Sequence, residues 1–498
     1  MNSSQVSIGI DVGAESGRVM AGLWDGRRIR LEEVHRFPNG PVVIGDTLRW
    51  DLPGLWREIQ SGLNLASRRY GGRLASVGVD TWGLDYALLS RSGELLGLPF
   101  CYRDARTRGL VGKTVGRIPR AEIFAATGLQ FMEINTLYQW IAHHRTSPEV
   151  FAAASAFQMI PDWLNGCLCG ARVVEMTNAT TTQFYDPRAR TWARGLLERL
   201  GLPTHLLPEI VEPGTHLGRL RDSVGPRIPV IAPATHDTGS AVAGTPGATG
   251  DPGWAYISSG TWSLVGIESE APVLTPAALD ANLTNEGGID GTWRVLKNVM
   301  GLWLLQRCRA ALRDDGGMPE YSDLVRWASE AVPLRSLVDP DDPRFLNPPD
   351  MVAALQEFCR ETRQPVPETP GALVRCILES LALKYETVLR QLETLTGNRI
   401  RVVHIVGGGS RNELLNQWTA DATARPVVAG PVEATEFGNV LVQSRALGEL
   451  GSLAEMRRAV VESSELRTFG PRPTEMDRWT EARKRFSDLR TRMPSSAP

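Results

Sequence analysis

Two short turns rich in glycine and hydroxyl residues, almost half the chain apart, are the first candidates for binding a charged ligand. The first turn follows an apolar strand and contains Gly13, Ala14, Ser16 and Gly17; the second contains Ser258, Ser259, Gly260 and Thr261. Free backbone N–H groups in such turns form a concave anion site, and hydroxyl groups add further donors. Either turn alone is more often plain structure. As a pair, they predict a site that holds the β- and γ-phosphates of a nucleotide.

One carboxylate stands at the end of the strand that leads into the first turn. Asp11 follows the apolar residues Val6, Ile8 and Ile10. Magnesium prefers hard oxygen ligands and keeps much of its water when it binds beside phosphates. Asp11 is therefore the predicted magnesium ligand.

A second carboxylate, Asp237, follows an apolar strand and precedes a run of small residues typical of a helix start. It is either a helix cap or a general base that accepts the proton of an attacking hydroxyl group. Under both interpretations a helix N-terminus favours the charged carboxylate. The residues alone leave these two interpretations open.

Two further segments at strand ends are candidates for contact with a flat ring or a sugar. Gly407, Gly408 and Gly409 follow a buried strand, and backbone without side chains can pack directly on adenine or ribose. In the first half, Trp82 and Gly83 follow another buried strand and predict an apolar wall and a close approach, or merely a turn.

Other phosphate and metal motifs fail on spacing. Gly112, Lys113 and Thr114 end like a P-loop, but Thr107 occupies the place where that motif requires a glycine. The sequence contains seven histidines and no H-E-x-x-H pattern, which argues against a zinc hydrolase. Phosphate binding therefore has to rely on the two turns.

The elements that position these residues form two related halves. Each turn joins two strands of a hairpin, and each half contains a later buried strand, at residues 76–80 and 402–406. We expect an α/β protein with a cleft between two domains, residues 1–244 and 245–498. A helix is predicted over residues 371–396 and another, with Trp479 and Phe486 turned inward, over residues 476–489.

The composition excludes several classes of protein. The 498 residues include 54 basic and 56 acidic side chains, a net charge of −2, which indicates neither nucleic acid nor a membrane surface as a partner. No stretch reaches the ~18 to 20 apolar residues that span a bilayer. We expect a cytoplasmic protein with small-molecule ligands, either a monomer or a dimer.

At this point the order of the motifs resembles the FGGY carbohydrate kinase family, within the actin-like, ribonuclease H-like ATPase superfamily. The resemblance covers nearly the whole chain and includes Asp11-Val12-Gly13-Ala14, Asp80-Thr81-Trp82-Gly83, His236-Asp237-Thr238, Asn285-Glu286-Gly287-Gly288, Leu296-Lys297-Asn298 and Gly407-Gly408-Gly409. It implies two ribonuclease H-like domains and the ATP- and magnesium-dependent phosphorylation of L-rhamnulose at its 1-hydroxyl. It leaves open another ketose, such as L-fuculose or L-xylulose, and a non-catalytic actin-like ATP switch.

The resemblance also assigns roles to individual residues. It implies that Asp237 is the catalytic base. The implied sugar-site residues are Gly83, His236, Thr238 and Asn298. The implied nucleotide-site residues are Gly13, Ala14, Glu15, Ser16, Gly17, Arg18, Thr261, Gln306 and Gly408. Glu15 departs from the family, in which a small hydroxyl residue is common here, and we expect its carboxylate to point away from the phosphates or to meet the water shell of the metal.

Overall fold

The computed structural model of the protein describes residues 5–313 and 317–492. The sequence-based expectation of a frayed tail after Arg492 concerns residues outside these ranges. Within them, no helix is both long and apolar enough to cross a membrane.

The N-terminal half alternates strands and helices. Its strands are β1 Gln5–Val12, β2 Ser16–Trp24, β3 Ile29–Pro38, β4 Pro41–Ile44, β5 Thr47–Trp50, β6 Leu74–Thr81, β7 Tyr86–Leu89, β8 Ala156–Met159, β9 Val174–Glu175, β10 Tyr185–Asp186, β11 Thr191–Trp192, β12 Ile210–Val211, β13 His216–Arg219 and β14 Pro229–Ile231. Its helices are α1 Leu52–Tyr70, α2 Leu110–Val115, α3 Arg120–Thr127, α4 Thr136–Thr146, α5 Pro148–Ala153, α6 Ile160–Cys169, α7 Met176–Ala179, α8 Arg194–Arg199 and α9 Asp237–Ala243.

The C-terminal half has the same mixed character. Its strands are β15 Trp254–Ser259, β16 Trp262–Ser269, β17 Thr284–Gly287, β18 Trp293–Met300, β19 Val402–Val406, β20 Val427–Ala429 and β21 Arg467–Phe469. Its helices are α10 Pro276–Asp280, α11 Trp303–Ala311, α12 Tyr321–Glu330, α13 Met351–Glu361, α14 Pro370–Thr396, α15 Glu413–Thr423, α16 Ala434–Ala446, α17 Leu453–Ser463 and α18 Met476–Arg492.

The two main sheets share one topology, which confirms the predicted pair of related halves. One sheet has the order β13-β14-β6-β1-β2-β3 and the other the order β17-β18-β16-β15-β19-β20-β21. In the first, β1 is antiparallel to β2 and parallel to β6. In the second, β15 is antiparallel to β16 and parallel to β19 in the same way. The predicted domain boundary falls in the connection between α9 and β15.

Strand register gathers the predicted acids at one sheet edge. Asp11 of β1 lies beside Asp80 of β6, and Thr81 forms a parallel bridge with His236. Because neighbouring parallel strands end at the same edge, residues far apart in sequence meet there. The start of α9, with Asp237, is thereby placed next to the first turn.

Two helices lie between the sheets. Helix α16 comes from the C-terminal half but packs on β1 and β6 of the N-terminal sheet and crosses α9, while α9 also contacts β15. The central strands β1 and β15 are buried along almost their whole length, as expected for strands covered on both faces of a sheet. The sheet edge that carries Asp11 and Asp80 is therefore built partly by a helix from the other half.

The two predicted helices are confirmed. Helix α14 starts at Pro370, where the Thr369 side chain accepts a hydrogen bond from the backbone N–H of Ala372, and it ends before Gly397, whose φ is 71°. Helices commonly end at a residue in the left-handed conformation, and glycine is the residue that adopts this conformation most easily. Helix α18 buries Trp479 and Phe486 against the C-terminal core.

Candidate active site

A cavity of about 280 Å³ opens between the two halves, and both contribute to its walls. Most of the site residues proposed from the sequence line it: Asp11, Gly13, Ala14, Arg18, Gly83, His236, Asp237, Thr238, Thr261, Asn298 and Gly408. Glu15, Ser16, Gly17 and Gln306 are not part of the cavity wall. The fold thus brings the sugar-site and phosphate-turn candidates into one space.

Asp237 is the first residue of α9, and His236 is the N-cap, so the helix-cap interpretation of Asp237 is wrong in its strict form. One carboxylate oxygen of Asp237 accepts hydrogen bonds from the backbone N–H of Thr238 at 2.5 Å and from the Thr238 hydroxyl at 3.1 Å. Burial nevertheless raises the pKa of Asp237, with His236 lowering it and Asp11 raising it further. The helix terminus favours the carboxylate as predicted, but the loss of water outweighs it.

A buried chain of charges lies behind His236. The Nε2 atom of His236 is 3.4 Å from Asp237 Oδ1, and its Nδ1 atom is 3.3 Å from Glu286 Oε2. Arg294, which is fully buried, places Nη1 3.1 Å from the same Glu286 oxygen. Although burial alone raises the pKa of Glu286, Arg294 and His236 bring it below its ordinary value. Glu286 is therefore held as a carboxylate, and Arg294 Nη2 lies within hydrogen-bond distance of His236 Nδ1, at 3.2 Å.

Sequence reasoning assigned no role to Glu286 and Arg294 individually. The two residues lie opposite each other on β17 and β18, which pair as an antiparallel hairpin. An arginine between the apolar residues of Trp293–Met300 was the available signal, since charged side chains are rarely buried without a partner.

Gly83 lies where there is little room for a side chain. A Cβ atom at this position would come within 3.1 Å of the Thr181 side chain and 3.3 Å of His236 Nε2. Glu175, which is buried, holds the segment before His236 by accepting hydrogen bonds from the N–H and hydroxyl of Thr235. Close approach at Gly83 and this anchor fix the backbone around the sugar-site candidates.

The two predicted turns face the same cavity, and a backbone hydrogen bond within each turn holds its shape. Gly13 donates its N–H to the Ser16 carbonyl at 2.9 Å, and Gly260 donates its N–H to the Trp262 carbonyl at 2.8 Å. Gly13, Gly260 and Thr261 all line the cavity. Corresponding hairpins of the two sheets therefore meet across the cleft, as an anion site between them requires.

Glu15 bridges the cleft. Its carboxylate accepts hydrogen bonds from the Thr261 hydroxyl at 3.3 Å and from the Gln306 side-chain amide at 3.4 Å. The carboxylate is thus hydrogen-bonded to two residues that the resemblance assigns to the nucleotide site. It stands outside the cavity wall, and its direction relative to bound phosphates stays a prediction.

The remaining residues of the first turn have structural contacts. A Cβ atom on Gly17 would overlap the Phe37 ring, so a glycine is required there for packing between β2 and β3. Ser16 pairs with Pro38 in the same ladder. Neither observation tests a role in nucleotide binding, which stays a prediction.

Arg18 links Asp11 to the other half of the molecule. Its guanidinium donates a hydrogen bond to Asp11 at 2.8 Å and forms a close ion pair with Glu436 of α16. Burial and, to a smaller extent, the charge of Asp11 raise the pKa of Glu436 to about 8. Burial likewise holds the pKa of Asp80 well above its ordinary value. Of these acids, only Asp11 lines the cavity beside the first turn.

The donor set around Asp11 limits how a metal could bind. Within residues 5–313 and 317–492, no group of three or more histidine, cysteine, aspartate or glutamate side chains could hold a metal ion. A cation that keeps several waters and binds through one carboxylate and substrate phosphates fits such a site. Asp11 is therefore compatible with magnesium that arrives with a nucleotide.

Two of the three consecutive glycines reach the cavity. Gly407 has a φ of 81°, and Gly408 has no atom within 4 Å of the place where a Cβ would stand. An added Cβ on Gly409 would overlap the Ser259 hydroxyl, so Gly409 packs against the second turn. The open face at Gly408 leaves room for a flat ring.

This topology and this site define a two-domain phosphotransferase, and sequence comparison gives its family. The profile of the FGGY family of carbohydrate kinases, N-terminal domain, matches residues 6–244, and that of the C-terminal domain matches residues 255–447. The chain belongs to the FGGY family of carbohydrate kinases. It is similar to two proteins named rhamnulokinase: one from Bacteroides thetaiotaomicron, 44% identical over 96% of this chain and 98% of the relative, and one from Oceanobacillus iheyensis, 38% identical over 93% and 98%.

Solved structures share the fold across the whole chain. A gluconate kinase from Lactobacillus acidophilus superposes with a TM-score of 0.81 at 17% identity, covering 99% of both chains. A glycerol kinase from Plasmodium falciparum, solved with ADP, gives a TM-score of 0.77 at 16% identity and the same coverage. The expected fold of two actin-like ATPase domains is confirmed.

Proposed function

We propose that this protein transfers the γ-phosphoryl group of ATP to the 1-hydroxyl of L-rhamnulose, giving L-rhamnulose 1-phosphate and ADP in the breakdown of L-rhamnose. The observation that carries the proposal is the carboxylate of Asp237 in a cavity between two phosphate-type turns. The choice of sugar is supported by relatives at 38% to 44% identity that are named rhamnulokinase.

The reaction asks the protein for one proton transfer. As the O1–P bond forms and the bond between the γ-phosphorus and the bridging oxygen breaks, Asp237 accepts the proton of the attacking 1-hydroxyl. Because burial raises the pKa of Asp237, its carboxylate is a stronger base than a carboxylate in water. His236, whose Nε2 lies 3.4 Å from Asp237 Oδ1, limits that rise in the pKa.

The two turns and a metal provide the charge stabilisation. Backbone N–H groups near Gly13 and Gly260 would bind the phosphates from both sides of the cleft. Magnesium, held through Asp11, would neutralise charge on the β- and γ-phosphates. Arg18 holds the Asp11 carboxylate at 2.8 Å and so keeps it at the edge of the cavity.

The remaining assignments are those that the resemblance to the family implies. Gly83, His236, Thr238 and Asn298 form the proposed sugar site. The proposed nucleotide site consists of Gly13, Ala14, Glu15, Ser16, Gly17, Arg18, Thr261, Gln306 and Gly408. Since the co-substrate is ATP, the proposal places the reaction in the cytoplasm.

A panel of ketoses tests the proposal. The purified protein is incubated with ATP, magnesium and L-rhamnulose, L-fuculose, L-xylulose or D-xylulose, and ADP formation is measured by a coupled assay. We expect the highest kcat/KM with L-rhamnulose, a product phosphorylated at O1 by NMR, and loss of activity when magnesium is chelated. Higher kcat/KM with another ketose would identify a different sugar kinase, and no sugar phosphate with any sugar would favour an ATP switch.

A further inference from the structure

One part of the cavity wall is apolar and is not explained by the transfer reaction. We call Trp82, Leu84, Tyr102, Met132 and Ile134 the apolar wall; all five line the cavity and belong to, or pack against, the hydrophobic core of the N-terminal half. Trp82, Tyr102 and Ile134 are at most 6% exposed. The wall is therefore the outer surface of a packed core.

A buried carboxylate fixes this wall in place. Asp85, which is fully buried, accepts hydrogen bonds from the indole N–H groups of Trp50 at 2.5 Å and Trp82 at 3.0 Å, and from the backbone N–H of Tyr102 at 3.1 Å. The rings of Trp50 and Trp82 are tilted by 39° to each other, with centroids 4.2 Å apart. Because the Trp82 N–H is already donated to Asp85, it is not available to a ligand.

Leu84 joins the wall in an unusual backbone conformation. Its φ is 77°, a left-handed value that is unfavourable for a non-glycine residue. The conformation is held on both sides, since the Leu84 N–H donates to the Thr181 hydroxyl at 3.2 Å and its carbonyl accepts from the Thr136 hydroxyl at 2.6 Å. Strain that the surroundings maintain in this way is concentrated at functional sites.

Polar side chains also line the cavity, among them His236, Asp237, Thr238 and Asn298 of the proposed sugar site, and Gln130 and Asn135, which flank Met132 and Ile134 in sequence. Gly83, between Trp82 and Leu84, is where Thr181 and His236 approach the wall. A sugar bound here meets hydrogen-bond partners on one set of residues and hydrocarbon on the other. A hydroxyl group pressed against hydrocarbon loses its hydrogen bonds to water without replacement.

We infer that the apolar wall binds the terminal methyl group of a 6-deoxyketose, and that Leu84 is a specificity residue which disfavours sugars carrying a hydroxyl at C6. This inference rests on the proposed function. L-Rhamnulose and L-fructose differ only there, since L-rhamnulose ends in a methyl group and L-fructose in a hydroxymethyl group. An apolar pocket discriminates against an added hydroxyl by up to about a hundredfold.

The test compares kcat/KM for L-rhamnulose and L-fructose in the wild type and in Leu84→Asn. Asparagine is close to leucine in size and tolerates a left-handed φ, so the substitution adds a polar amide without adding backbone strain. We expect the wild type to prefer L-rhamnulose by about 10- to 100-fold and Leu84→Asn to lower this preference about tenfold. Leu84→Met should retain it within about threefold, because the wall stays apolar.

Two further variants make the result decisive. Leu95→Asn places the same amide at a leucine that packs on the same core but does not line the cavity, and it should leave the preference unchanged. Met132→Gln changes a second wall residue and should lower the preference in the same direction. The inference is overturned if the wild type uses both ketoses equally, or if Leu84→Asn and Met132→Gln both keep the wild-type ratio. If the wild type phosphorylates neither ketose, the proposed function itself fails.

Discussion

At the scale of single residues, the basicity of Asp237 is set by opposing effects. Its place at the start of α9 gives its carboxylate a hydrogen bond from the Thr238 N–H, which favours the charged form. Burial and the charge of Asp11 act in the other direction and prevail, so the pKa is raised. A general base works best when its pKa approaches the working pH, and this environment moves Asp237 toward that value.

Replacing Asp237 by asparagine should lower kcat by about 10² to 10⁴, the usual contribution of a general base, since the amide cannot accept the proton. The measurement is turnover of ATP with L-rhamnulose, with thermal unfolding to verify that the variant is folded. Asp222→Asn, at an exposed aspartate, is the matched control and should retain activity. A folded Asp237→Asn protein with near-normal turnover would remove this residue from the mechanism.

At the scale of elements, the contact between α9 and α16 determines where Asp237 lies. The two helices cross at glycines: a Cβ on Gly438 of α16 would overlap the Ser240 carbonyl oxygen, and one on Gly244, just after α9, would overlap the Ala434 carbonyl oxygen. Asn439 and Gln443 of α16 donate hydrogen bonds to Asp80 and to the Ile8 carbonyl of the N-terminal sheet. The crossing therefore ties both halves to the sheet edge beside Asp11, Asp80 and Asp237.

Gly438→Ala should force the helices apart and lower the free energy of unfolding by roughly 1 to 3 kcal/mol, the usual effect of overpacking. Kinase activity should fall as well, because α9 begins at Asp237. The same substitution at Gly195 in α8, where an added Cβ meets no atom within 4 Å, should be neutral or slightly stabilising. Urea unfolding of both variants measures the difference, and equal stability would show that the crossing tolerates a methyl group.

At the scale of the whole molecule, each half buries a histidine. His143 contacts the Tyr86 hydroxyl at 3.0 Å in the N-terminal half, and His404 stacks edge-on against Trp254 in the C-terminal half. Burial lowers the pKa of each to about 4, and nearby arginines contribute in the same direction. Both halves thus require neutral imidazoles in the folded state.

This requirement predicts how stability depends on pH. Between about pH 6.5 and 4 the unfolded chain binds protons at these histidines that the folded protein does not, so their contribution is complete above pH 6.5 and is lost as the pH falls toward 4. Each histidine accounts for at most about 3 kcal/mol. His404→Gln should make the loss of stability over this range smaller, whereas His205→Gln, at an exposed position, should not. Equal pH profiles for the three proteins would contradict the assignment.

The sequence by itself determined the repeated hairpins, the long helix α14 and the acids and glycine-rich turns at the cavity. These features depend on local physics: apolar periodicity, glycine-rich turns and acids at strand ends are visible in a stretch of ten to thirty residues. The order of such motifs along the chain also identified the family. Asp237 was found in this way, because its strand and helix are adjacent in sequence.

Only the tertiary structure decided which distant side chains meet. Glu286 and Arg294 lie behind His236 because β17 and β18 belong to the other half, and Glu436 reaches Arg18 because α16 crosses to the N-terminal sheet. The left-handed backbone of Leu84 depends on hydrogen bonds from Thr136 and to Thr181, both more than fifty residues away. Local patterns do not encode the partners of a residue, and burial, which sets the pKa values and the apolar wall, exists only once the halves have packed together.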